Sequence, residues 1–258
     1  MINYIKSELY RSSRSKGLLY CIVGTFLFVV FAFFVMYVGK TEPVEMFIDY
    51  SSLMSGFNMM GHYGILIILS ILLASEIKDD CLKNAISSGV NRNAIILGKI
   101  ISYIAVSLVS FMIIIALLYG VIFFRTGFGV LGDPVVKTVI SQTFITLFNG
   151  IPLWTADLSF FIFVFFAIKS LSMSSALAAL TPLLVPQILS SIIHFVSDGV
   201  REAIVLVMNH IPSIMNTGQA SKFMSMSNTI DVKYFVVGGI YLLVFTFLTC
   251  VVIRKREF

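Results

Sequence analysis

The sequence predicts an all-α, polytopic membrane protein with six transmembrane helices, and three observations predict it. Of the 258 residues, 58% are hydrophobic and only 12% charged, about half the charged share of a soluble domain; the mean hydropathy is +0.98. The apolar residues gather into runs of about 20 residues or more, the length that crosses a hydrocarbon layer of roughly 30 Å. The charged residues gather between those runs with a bias of sign. No soluble fold of this size hides so much apolar surface, whereas lipid can act as the solvent.

Residues 1–17 read as a basic amphipathic helix on the membrane surface. Ile2, Ile5 and Leu9 fall at helical spacing among Lys6, Arg11, Arg14 and Lys16, the pattern of an interfacial helix; the blander reading is a solvated tail. Span one is Leu18–Val38, which carries no charge. It lacks a small-x-small site at its end and is no cleaved signal peptide. Lys40, Glu42, Pro43, Glu45 and Asp49 then read as a polar loop. Span two covers about Phe57–Ser75 and opens on Asn58, Gly61, His62 and Gly64. Residues 76–93, EIKDDCLKNAISSGVNRN, form a charged loop with a short helix to about Ile86, stopped at Ser87-Ser88-Gly89. Asn91 is a cap for the next helix.

Span three, about Ala94–Phe124, is too long for the hydrocarbon alone and must tilt or project. The stretch Val135–Ile168 is helical in pattern, but Asn149, Gly150 and Pro152 interrupt it. A kink or break near Pro152 leaves Thr146–Ile168 as span four. A polar turn, Lys169–Ser175, leads to span five at Ala176–Phe195. Its Pro182 and Pro186 are tolerated because neighbouring helices re-satisfy the freed backbone groups. Residues 196–232 are the longest non-spanning segment, with Gly199–Asn209 as a short interfacial or re-entrant helix. Span six is Tyr234–Ile253, before the basic Arg254-Lys255-Arg256. No repeat or linker divides the chain, so residues 1–258 form a single transmembrane domain.

Six spans put both termini on one side. That side holds Lys6, Arg11, Arg14, Lys16, Lys78, Lys83, Arg92, Lys99, Lys169, Arg254, Lys255 and Arg256, which are 12 of the 18 Lys and Arg. The excess places both termini in the cytoplasm of a multi-pass cell-membrane protein.

Motifs for covalent chemistry are missing. There is no G-x-x-x-x-G-K-[ST] loop, no H-E-x-x-H and no G-x-S-x-G. Cys21, Cys81 and Cys250 share no metal spacing, and His62, His194 and His210 form no ligand pair. The charged loop is the most informative element. Glu76, Lys78, Asp79, Asp80 and Lys83 crowd a short helix, Ser88 and Gly89 turn the chain, and Arg92 follows. Such a helix joined to two spans is a mechanical lever that can dock in a groove on a cytosolic partner; the plainer reading is an ordinary charged loop. Inside the membrane, Asp157 stands about 18 Å along the helix from Lys169. A carboxylate at that depth is costly and normally faces a cavity or a partner, unless the chain there is outside and the group is solvated. With Asn149 and His62 it makes the candidate translocation path, although hydration at the interface also accounts for His62.

The order Glu76…Asp80…Ser88-Gly89…Arg92…Gly98-Lys99 resembles the permeases of the ABC-type-two family. So do the arm Lys6-Ser7-Glu8-Leu9-Tyr10-Arg11, the end Ile253-Arg254-Lys255-Arg256-Glu257-Phe258, the six spans and the long segment before the last span. The resemblance covers nearly the whole chain. It implies that the loop is a cytoplasmic coupling helix contacting a separate cytosolic ABC ATPase through Glu76, Lys78, Asp79, Asp80, Lys83, Ser88, Gly89 and Arg92, with Lys169–Ser175 as a smaller second contact. It also implies short extracellular helices before the last span, at Gly199–Met215. Further implications are a second permease subunit, identical or related, and ATP and magnesium held by the partner, with no cofactor in this chain. Small Gram-positive permeases of this type export bacteriocins, lantibiotics or other amphipathic peptides, which the resemblance carries over as the substrate class. Membrane lipid is the surrounding partner, and no nucleic acid is expected. The alternative is a secondary carrier or channel that uses the intramembrane carboxylate without an ATPase.

Overall fold

The computed structural model describes residues 2–36, 42–59, 61–78, 87, 89, 91–168 and 170–255. The described residues are 90% helical, and no strand occurs among them. Its helices are α1 (Ile2–Ser13), α2 (Lys16–Met36), α3 (Pro43–Met59), α4 (Gly61–Lys78), α5 (Arg92–Thr126), α6 (Pro134–Ala167), α7 (Leu171–Ile192), α8 (Asp198–Met208), α9 (Pro212–Met224) and α10 (Val232–Lys255).

Helix α6 is the axis of the bundle. Of its most apolar stretch 72% is buried, against 22% for α5 and for α10. Around its second half α4, α5, α7 and the start of α2 build one apolar core, including Leu69, Ile96, Tyr103, Leu158 and Phe161. Around its first half α3, α5 and α9 build another from Phe47, Leu118, Ile122, Val136, Val139 and Phe223. Helix α10 runs along α6 for most of its length. The two touch most closely where Gly238 meets Pro152: a Cβ at Gly238 would lie 2.5 Å from the Pro152 carbonyl oxygen.

Two sequence expectations are corrected. The polar loop assigned to Lys40–Asp49 is helical from Pro43 onward. Pro43 stands at the first helical position, where its missing N–H costs nothing, and Met46, Phe47 and Tyr50 make one buried face. The break expected near Pro152 does not occur. Helix α6 runs unbroken from Pro134 to Ala167, so Thr146 lies inside a helix rather than at the start of a span. Asp133 caps it, its side chain accepting from the Val135 N–H at 2.7 Å. Proline 152 removes one ladder bond, but neighbours on every side hold the helix, with Leu153 and Trp154 buried.

Other elements follow expectation. Asn91 caps α5, accepting from the Asn93 N–H at 2.9 Å. One more expectation is corrected: the polar turn expected at Lys169–Ser175 is helical from Leu171 onward, with Ser170 as the cap of α7. The short helix expected at Gly199–Asn209 is α8, while α9 is a second helix that the same segment had not distinguished.

Helices α5, α6 and α10 are each long and apolar enough to cross a membrane. Two bent pairs, residues 3–13 with 16–32 at 54° and 171–182 with 184–195 at 46°, bring the number to as many as five among the described residues. The second bend falls at the prolines of α7. The span expected at Phe57–Ser75 falls across the end of α3 and most of α4, where the described apolar helix is Tyr63–Leu73. At about 1.5 Å per residue α5 is roughly 52 Å long, more than a hydrocarbon layer of about 30 Å needs, and its first turns belong to the group of helix ends described next.

Candidate functional site

Three parts of the chain converge on the first turns of α5. The first is α1, which lies against it. Gly98 leaves room for the Tyr4 ring, since a Cβ there would come 2.6 Å from Tyr4 Cδ1. The next residue, Lys99, is fully buried and its Nζ donates to Glu8 Oε1 at 3.3 Å. Glu8 also receives Arg11 at 2.5 Å. The Lys99 ammonium lies 5.9 Å from the Tyr4 ring centre and 5.8 Å from that of Tyr103, within cation–π range. A buried lysine needs such partners because an isolated charge in a low-dielectric interior is very costly.

The second part is the end of α10. Arg92 donates to the carbonyl oxygens of Ile253 at 3.4 Å and Arg254 at 3.3 Å, groups that a helix end leaves without intrahelical partners. Arg254 returns the contact, its Nε donating to Asn93 Oδ1 at 3.1 Å. The third part is the charged loop, which enters α5 through Gly89 and Asn91. Gly89 has φ +83°, a left-handed conformation that glycine adopts at no steric cost.

Of the residues expected to couple to a partner, Gly89 and Arg92 therefore stand at this junction. Glu76 and Lys78 belong to the last turn of α4, and their side chains are outside the described residues. Asp79, Asp80, Lys83 and Ser88 lie outside them altogether, as does Lys169 of the expected second contact.

The three residues expected to line a path are not gathered at one point. Asn149 is buried and tied to the strap that joins α9 to α10: its Nδ2 donates to the Thr229 carbonyl at 2.8 Å and its Oδ1 accepts from the Asp231 N–H at 3.4 Å. Gln142 and Thr146 hold the same strap, Gln142 Oε1 accepting from the Asn228 N–H at 2.9 Å and Thr146 Oγ1 from Asn228 Nδ2. Asp157 lies eight residues further along α6, about 12 Å away. Its carboxylate is 7% exposed, and Oδ2 has no hydrogen-bond partner among the described residues; Tyr241 of α10 is its electrostatic neighbour. His62 lies in the first turn of α4, with its side chain outside the description.

Sequence reasoning missed Glu8 and Lys99 as a pair. The signal was present: one acid in a basic arm, and one lysine seven residues into an apolar helix, are each out of place alone. It also missed the strap contacts of Gln142 and Asn228, which join residues more than 80 positions apart.

An all-α bundle in which three to five of the described helices are long and apolar enough to cross a membrane, with a charged junction at one end, marks a polytopic membrane protein. The sequence matches the family model for ABC-2 family transporter proteins over residues 4–197, about three quarters of the chain. The chain belongs to that family and is a membrane component of a transporter, a component that is generally not itself catalytic. No curated protein matches the sequence.

Proposed function

We propose that this chain is the permease subunit of an ATP-driven ABC exporter in the cell membrane, with both termini cytoplasmic. It moves amphipathic peptides or other hydrophobic compounds outward, paired with a second permease subunit and served by a separate ATPase that holds ATP and magnesium. Within the family shown by the sequence match, the observation that carries this reading is the junction at α5. Arg92, at the end of the charged loop, bonds the last carbonyls of α10, and seven residues on Lys99 holds α1. A push on the loop thus reaches three helices through direct polar contacts.

In this reading Glu76, Lys78, Asp79, Asp80, Lys83, Ser88, Gly89 and Arg92 meet the ATPase, and Lys169–Ser175 adds a smaller contact. No residue forms a covalent bond with substrate. Binding at the ATPase changes the relative stability of two membrane conformations; shifting a 1:99 mixture to 99:1 takes about 5.5 kcal/mol of differential binding.

The test is ATPase activity of the complex purified with the ATPase encoded beside it, comparing wild type with Glu76→Arg. The reading expects intact association and loss of the permease's effect on hydrolysis in the variant. If the ATPase never associates, the exporter reading fails. The buried, unpartnered oxygen of Asp157 then favours a carrier or channel, and Asp157→Asn is the variant to assay for transport.

A further inference from the structure

Between α1, α2 and α5 the chain leaves an apolar groove of about 620 Å³, within the range of roughly 300–1,000 Å³ typical of small-molecule sites. Leu9, Leu18, Leu19, Val106, Val109 and Ile113 form its walls. Leu19 and Val109 are each 59% exposed, so the groove is open to whatever surrounds the bundle. One end is different in kind. There Ser13 and Ser15 line the mouth, and the exposed Arg14 and Lys16 flank it on the turn between α1 and α2. Arg14 lies over the Tyr10 ring, 5.4 Å from its centre, while the nearby Arg11 is engaged with Glu8.

The depth of the groove fits the bilayer. From Ile100 to Phe124 helix α5 is uncharged and about 37 Å long, enough to cross a hydrocarbon layer. The groove uses only part of that stretch, Ala105 to Ile113, about 12 Å. A lipid with its headgroup at the basic mouth would lay its acyl chain along the apolar walls.

We propose that the α1–α2–α5 groove is a binding site for an anionic glycerophospholipid of the surrounding leaflet. One acyl chain lies along Val106, Val109 and Ile113, and the phosphate meets Arg14 and Lys16. The bound lipid completes the wall where α1 turns into α2, filling an angle of 54° that side chains alone leave open. Charge selects the headgroup: a zwitterionic lipid brings its own cation to the same place and gains less from Arg14 and Lys16.

The experiment is native mass spectrometry of the full chain in neutral detergent, titrated with phosphatidylglycerol or with phosphatidylcholine. Wild type should retain phosphatidylglycerol preferentially. Arg14→Gln with Lys16→Gln should weaken it about thirtyfold, at roughly fivefold per near-surface basic residue, and leave phosphatidylcholine unchanged. Val109→Trp and Leu19→Trp fill the groove from opposite walls, and each should remove bound phosphatidylglycerol. Phe247→Trp, on the exposed face of α10, should not, which separates a blocked groove from a failed fold. Equal retention of the two lipids in wild type overturns the proposal, as does phosphatidylglycerol binding that survives both groove-filling changes. A Val109→Trp variant that keeps its lipid but no longer associates with a second copy assigns the groove to a subunit contact and overturns it too.

Discussion

Lys99 and Asp157 are both ionisable, both buried and both on the long helices of one bundle, yet they are held in opposite ways. Lys99 has a carboxylate and two aromatic faces around it, gathered from α1 and α5. Asp157 has a carboxylate oxygen with no partner among the described residues. It lies where α6 and α10 approach so closely that a glycine is needed. One region is fastened by charge and the other by backbone contact, with a carboxyl group left over. Removing the partner of Lys99 should therefore harm the fold, whereas removing the carboxyl group of Asp157 should not.

The largest expected effect is at the first region. Glu8→Leu takes from the buried Lys99 the carboxylate that faces it and should cost about 3–5 kcal/mol, read as a fall in thermal midpoint in detergent together with rapid hydrogen exchange in α1. Adding Lys99→Met should recover most of that loss, because an apolar pair of similar volume often replaces a buried ion pair without penalty. A double variant as unstable as the single one would break the account of charge fastening.

Next comes the α6–α10 crossing. Gly238→Ala sets a methyl group against the Pro152 backbone, which cannot rotate away as a side chain can. It should cost about 1–3 kcal/mol. Gly239→Ala, where a Cβ meets nothing within 4 Å, should stay within about 0.5 kcal/mol of wild type. Equal effects at the two glycines would mean that the close approach is not what holds this region. At the same crossing Asp157→Leu should raise stability by about 1–3 kcal/mol, the cost of an unsatisfied buried polar group. A loss of stability instead would reveal a partner for the carboxylate and erase the contrast with Lys99.

The smallest effect is expected at Arg92. Arg92→Ala removes a cation from the last carbonyls of α10, worth about 0.3–1 kcal/mol, and should show as faster amide exchange at residues 252–255 with little change in global stability.

The fold class was legible because composition and run length alone demand lipid and helices. The helicity of the N-terminal arm, the Asn91 cap and the last apolar helix were equally plain, since each rests on local chemistry within a few residues. The start of α3 was not. Glu42, Glu45 and Asp49 made the segment read as loop, although Met46, Phe47 and Tyr50 already marked one helical face. Pro152 misled in the other direction: an isolated helix breaks there, but this one is clamped by neighbours the local sequence does not name. The junction at α5 was half legible. Arg92 and Gly98-Lys99 stood out, but their partners Glu8 and Ile253 are 91 and 161 positions away, beyond what spacing can reveal.

That separation has a consequence in time. Glu8 leaves the ribosome 91 residues before Lys99, which at about 5–20 residues per second is roughly 5–20 seconds. Through that interval the first span can already be threading into the bilayer while the helix ahead of it has nothing to fasten to. The clasp thus cannot close until α5 has been made, and the order of manufacture, rather than the order of the chain, decides when this end of the molecule becomes rigid.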